Sequence, residues 1–211
     1  MPMVEQPWGV ASYGGASVKA NPDLARIRFR VTRLQPTPSQ AFAMAGDSVR
    51  SVRETLRRHD IPDAAVERSR IGLAGAWSGY FPDRTFLGHQ CQASFSVESR
   101  DLDRLEQLII DLVAAGANEI DGVDFDVTAK KELRAEARKQ AVAAARAKAQ
   151  LYAEAAGVGL GPVIHIEDVD PEQRPEPSRG HSAGGQAAGG DFSPGHVVVS
   201  AAVILGFSII H

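Results

Sequence analysis

Cysteine is nearly absent from this 211-residue chain, and the single one, Cys91, excludes an intrachain disulfide and a cysteine-built zinc cage. An excess of positive charge is also missing. The formal net charge is -3, which argues against a general nucleic-acid binder. No uninterrupted apolar run reaches the roughly 20 residues that a membrane-crossing helix needs. The most apolar stretch, residues 197–210, is broken by Ser200, Gly206 and Ser208. The opening residues, MPMVEQPWG, offer neither a basic patch nor an apolar core of the kind a secretory leader carries. The sequence as it stands therefore reads as cytoplasmic, or as periplasmic or secreted if a leader has been removed. Catalytic constellations and cofactor motifs are lacking too. Gly157-Val158-Gly159-Leu160-Gly161 is glycine-rich, but it closes a helix, whereas a phosphate cradle opens one. The chain thus reads as a non-enzyme that uses no cofactor.

What is present is alternation and helical stripes. The stretch from Glu119 to Val163 stands out, and the remaining elements are read as organised around it. Val123, Phe125 and Val127 alternate with Asp124, Asp126 and Thr128, the period of a half-buried strand. Beyond them Leu133, Ala137, Ala141, Ala144, Ala145, Leu151, Tyr152 and Ala155 recur at steps of three and four, which predicts one long helix with an alanine-rich buried stripe. Its many lysines and arginines read as a solvated face.

Earlier in the chain, Gly14-Gly15 marks a bulge or a close backbone approach in a first strand over residues 9–20. Residues 24–34 alternate, with Ile27, Phe29 and Val31 inward and Arg26, Arg28 and Arg30 outward. Thr37-Pro38-Ser39-Gln40 is a capping box that opens a helix with Phe42, Ala45, Val49, Val52 and Leu56 as its stripe. A third strand over 66–73 leads to a turn-rich tip at 77–85. The strand 86–99 follows, with Cys91, Ala93, Phe95 and Val97 on one face. Asp101 then caps a helix striped by Leu102, Leu105, Leu108, Ile109 and Leu112. Residues 171–195 hold almost nothing that burial would stabilise, and read as a mobile loop between two strands that pair with each other. The pattern strand, capped helix, strand occurs twice, over 24–73 and 86–127. The predicted fold is α+β, a single domain over 1–211, with a mostly antiparallel sheet and helices packed on one face.

The order of these pieces resembles the SIMPL-domain family. Gly14-Gly15 followed by Pro22-Asp23, then Ala115-Gly116-Ala117 leading to Gly122-Val123-Asp124-Phe125, and above all the helix AVAAARAKAQLYAEAAGVGLGPV carry the likeness, which runs from about Val10 to the last strand. It implies kinship with bacterial periplasmic immunogenic and oxidative-stress-defence proteins, and homo-oligomers of ring- or channel-like form. It carries over no catalytic residues. His89 stands where such proteins commonly have an aromatic, and the expected leader is not visible.

Candidate interaction residues follow. Trp77, Tyr80 and Phe81 at the tip either anchor a partner or fold back over the core edge. Arg28 and Arg30, with Arg26, are expected to meet Asp124, Asp126 and Glu98 across strands or at a polar subunit contact. Val199, Val203 and Ile209 lie on a last strand that is apolar on both faces and calls for cover, most simply from a second copy of the chain. His165, His181, His196 and His211, with Asp168 and Asp191, lack the spacing of a helical metal pair and read as surface groups. Cys91 reads as a buried, inert thiol.

Overall fold

The computed structural model describes residues 9–79, 83–169 and 195–210. Seven strands and three helices follow in the order β1 (Val10–Ala20), β2 (Leu24–Gln35), α1 (Pro38–Arg58), β3 (Val66–Ser78), β4 (Thr85–Ser99), α2 (Leu105–Ala114), β5 (Glu119–Asp126), α3 (Lys130–Ala155), β6 (Gly159–Val169) and β7 (Val197–Ile210). The α+β class and the antiparallel pairing are as the sequence predicts. The single sheet is not: the strands divide into β1-β7-β6 and β3-β4-β2-β5. The chain groups into two compact units to match, one built of β1, α3, β6 and β7, the other from Pro22 to Thr128. The stretch from Glu119 to Val163 is therefore no single building block. Its strand β5 joins the four-stranded sheet, while α3 packs on β1 and β7.

In the unit from Pro22 to Thr128 the predicted repeat becomes β-α-β-β-α-β, the split βαβ arrangement. Alternation along β2 puts Ile27, Phe29 and Val31 fully out of water, opposite Ala93, Phe95 and Val97 of β4. The helices α1 and α2 close this face with Val52, Leu56, Leu105, Leu108 and Leu112. Phe29 and Phe95 stack with ring centroids 5.1 Å apart.

Thr37 starts α1 by accepting a hydrogen bond from the Gln40 N–H, and its hydroxyl meets the Gln40 side chain at 2.9 Å. Asp60 ends the helix in the left-handed region at φ 56°, while Ile61 N–H reaches back to the Leu56 carbonyl. One residue of the predicted stripe departs: Phe42 is 54% exposed. Ala41 and Ala45 take the inward position together with Cys91, so the helix sits too close for a ring there. Asp101 caps the turn ahead of α2, accepting from the Arg104 N–H at 3.1 Å.

The other unit is organised by α3. Ala137, Ala141, Ala145, Ala149 and Ala153 recur every fourth residue and are all fully buried. Side chains this small let the helix lie on the backbone of β1. A Cβ added at Gly14 would stand 2.1 Å from the Ala141 carbonyl oxygen and 2.5 Å from the Ala145 nitrogen. The pairing of β1 with β7 runs unbroken, so Gly14 marks a close approach and no bulge. Ser12 adds a buried hydroxyl that donates to the Ala145 carbonyl at 2.8 Å. Val203, Leu205 and Phe207 of β7 complete this core. The predicted stripe is corrected: Ala144, Leu151, Tyr152 and Ala155 are exposed, and Ala149 and Ala153 hold inward positions instead. A helix held this close has room inside only for the alanine row. As expected, β6 and β7 pair with each other; the segment 171–194 between them lies outside the described residues.

Candidate functional site

Three surfaces gather the polar and aromatic groups. The first is the ladder on the sheet face of β2, β4 and β5 turned away from α1 and α2. Residues two apart on a strand share a face, so Arg26, Arg28 and Arg30 stand in a row. Arg26 meets Glu98 at 2.8 Å, Arg28 meets Asp124 at 2.8 Å, and Arg30 meets Glu119 at 2.9 Å and Asp121 at 2.5 Å. The expected cross-strand pairing is present for Glu98 and Asp124, and Glu119 and Asp121 join it. Each arginine of the row is thus matched by at least one carboxylate. Pairs this exposed contribute about 0.2–1 kcal/mol each, and salt weakens them further.

The second surface is the arm formed by the far halves of β3 and β4. Strand β3 runs five residues past the predicted end, so Trp77 stands on a strand, paired with Phe86, and not on a turn. The two rings meet edge-on at 4.8 Å, and Phe86 meets the ring of His89 in the same manner at 5.3 Å. The Arg84 guanidinium lies over Trp77, 5.3 Å from the ring centroid. Even so, Trp77 remains 51% exposed, and Ile71, Leu73, Phe86 and Leu87 are about as open to water. Tyr80 and Phe81 lie outside the described residues. Sequence reading missed Ile71, Leu73 and Phe86; the signal was there, since alternation continues from Ile71 through Leu73 and Gly75 to Trp77.

The third surface was not foreseen at all. His59, just past α1, places Nε2 2.7 Å from Asp111 Oδ2 on α2, and Gln107 donates to the other carboxylate oxygen at 2.8 Å. The His59 contact, followed by that of Gln107, holds the Asp111 carboxyl below its ordinary range. Beside it opens a cleft of about 530 Å³ lined by Asp60, Ser99, Arg100, Asp101 and Arg104 among others. Its charged groups already answer one another: Arg104 Nε donates to Asp101 at 2.7 Å and Arg104 also approaches Asp60 at 3.7 Å. Because Asp111 has a lowered pKa, its contribution to stability is full above its unfolded value near 4 and fades as pH falls through the folded value. Asp111→Asn should therefore lower the urea midpoint at neutral pH, and the gap to the parent should shrink below about pH 4.

The remaining candidates are scattered. Val199 and Val203, foreseen as available to a partner, are 2% and 4% exposed and face the α3 side of β7, whereas Ile209 keeps a partly open side chain. Cys91 is buried, and burial pushes its thiol up. His165 sits 3.7 Å from Glu167 on one face of β6, while Asp168 turns to the other and pairs with Arg138 at 2.8 Å. His196 is exposed, and His181, Asp191 and His211 lie outside the described residues. Among the described residues no three His, Cys, Asp or Glu side chains come together as a metal would need, and no helix is long and apolar enough to cross a membrane.

Residues 10–207 match the family model SIMPL, described as a protein of unknown function (DUF541). The chain belongs to the SIMPL family. This SIMPL chain is similar to the 26 kDa periplasmic immunogenic protein of Brucella melitensis biotype 1, with 29% identity over 182 residues that cover 83% of this chain and 72% of the relative. It is also similar to the uncharacterized protein YggE of Edwardsiella ictaluri, 27% identical over 77% of this chain and 70% of that protein. For YggE of Escherichia coli K12 the figures are 25%, 80% and 68%. The SIMPL match spans both compact units, so the division at Pro22 and Thr128 lies inside the family's own span.

Proposed function

We propose that this SIMPL chain works by assembling with copies of itself in the cell envelope, in a stress-related role, and not by catalysis. The observation that carries the reading is the β3–β4 arm, where Ile71, Leu73, Trp77 and Phe86 stand together about half exposed. A cluster of large apolar side chains in water is costly unless something covers it, and such patches mark interaction sites. The periplasmic name of the Brucella relative supports the compartment. The cleft beside His59 supports the alternative, a small-molecule binder, less well, because the groups that line it are engaged with one another. Size-exclusion chromatography with light scattering tests the reading: the parent should run as a multiple of the chain mass at micromolar concentration. Ile71→Lys combined with Leu73→Lys should bring it to a folded monomer. A parent that is strictly monomeric removes the proposal.

A further inference from the structure

The four-stranded sheet ends in β3 on one side and β5 on the other. An edge strand presents a row of unpaired N–H and C=O groups, and folded proteins blunt such edges with bulges, prolines or charge. Strand β5 is blunted: its register shifts opposite Arg28 and Phe29, and its carboxylates Asp121 and Asp124 are drawn onto arginines of β2. Strand β3 is not. From Arg70 to Ala76 its pairing with β4 runs without a shift, and the sequence Arg-Ile-Gly-Leu-Ala-Gly-Ala holds neither proline nor carboxylate. Ile71 and Leu73 stand out from this stretch half exposed, on the face that carries α1 and α2.

We propose that the edge of β3, unpaired among the described residues, pairs antiparallel with the same strand of a second copy, about a two-fold axis at Gly72. Residues directly opposite in such a pair must point to the same face, so only registers that match odd with odd and even with even positions keep both sheets' faces aligned. Centred on Gly72, Ile71 lies opposite the partner's Leu73, and Leu73 opposite the partner's Ile71. Arg70 lies opposite the partner's Ala74. Centring on Ile71 instead would bring the two Arg70 side chains to within two residues of each other, roughly 7 Å along the strand, where like charges repel. Centring on Leu73 would set Ile71 against the partner's Gly75, which offers no side chain to pack on. A side chain can be added at the axis, since no heavy atom lies within 4 Å of a Cβ built on Gly72. The result is an isologous contact that joins two four-stranded sheets into one. This inference rests on the self-association proposed above, and gives it a strand, a register and a symmetry.

Opposed Cα atoms in an antiparallel pair lie about 4.5–5.5 Å apart, inside the range a disulfide spans. The full chain carrying Cys91→Ala has no thiol, and Gly72→Cys in that background should give, on mild oxidation, a covalent dimer that reductant returns to monomer. Arg70→Cys and Ala74→Cys should each stay uncrosslinked alone and link when co-expressed. That second pair tests the same register without touching Gly72, should the glycine change disturb folding. Light scattering is run on the same samples. Assemblies that form without either crosslink overturn the β3 pairing while self-association stands; a strictly monomeric chain overturns both.

Discussion

Replacing Phe29 by alanine is expected to destabilise the Pro22–Thr128 unit by about 3–5 kcal/mol. The ring is fully buried, stacks on Phe95 at 5.1 Å, and sits in the middle of the strand that both neighbours of the sheet flank. Truncation removes the transfer energy of the ring and leaves a hole that α1 and α2, pinned by their own leucines, are poorly placed to fill. A domain's whole stability is about 5–15 kcal/mol, so the variant should retain at most a narrow native baseline. Urea unfolding read by circular dichroism measures this. A shift in midpoint equivalent to under about 1 kcal/mol, as an exposed site would give, contradicts the account of this core.

The second large effect is expected at Gly14. Valine there drives its Cβ into the Ala141 carbonyl and the Ala145 amide, which are backbone atoms and have no rotamer to yield. The helix must lift away from β1, and with it go the contacts of Ala141, Ala145 and Ala149 on β7. Overpacking of this kind costs about 1–3 kcal/mol where side chains can adjust. Where only backbone can move, the upper end or beyond is expected. The Ser12 hydroxyl would lose the Ala145 carbonyl in the same displacement. Gly46→Ala provides the contrast, since it lies inside α1 with no heavy atom within 4 Å of the added carbon. It should raise stability by about 0.5–1 kcal/mol through helix propensity alone. If both glycines respond alike, the close approach of α3 to β1 is not what fixes Gly14.

These two sites also show what the sequence discloses and what it withholds. The inward set of β2, the capping box at Thr37 and the leucine row of α2 were legible because each is a local periodicity or a local bond. The Gly14 approach was legible as one of two alternatives, and only the helix position decided between them. Withheld were the partners. Alternation says that Val123 and Phe125 have a buried side, not that β2 is what they pair with, so the strand and helix between Glu119 and Val163 read as one block although they serve different sheets. Phe42, Leu151 and Tyr152 fitted helical stripes by spacing, yet a helix carried on alanine sits too close for large side chains to face inward. The His59–Asp111 contact joins residues 52 apart with no shared motif, and nothing in the chain order announces it.

The pairing of β1 with β7 carries a consequence for how the chain is made. Ala20 faces Val197, so this sheet pairs strands that lie on either side of the whole Pro22–Thr128 stretch. Everything described in the other unit lies on the uninterrupted stretch between Pro22 and Thr128. While the ribosome is still elongating, that middle portion has all its strands and helices in hand, whereas β1 waits for β7 to emerge. Vectorial synthesis thus imposes an order of maturation, with the Pro22–Thr128 unit first and the pairing of β1 with β7 after it. Until β7 emerges, a nascent β1 with its glycine pair and the alanine face of α3 would be exposed together.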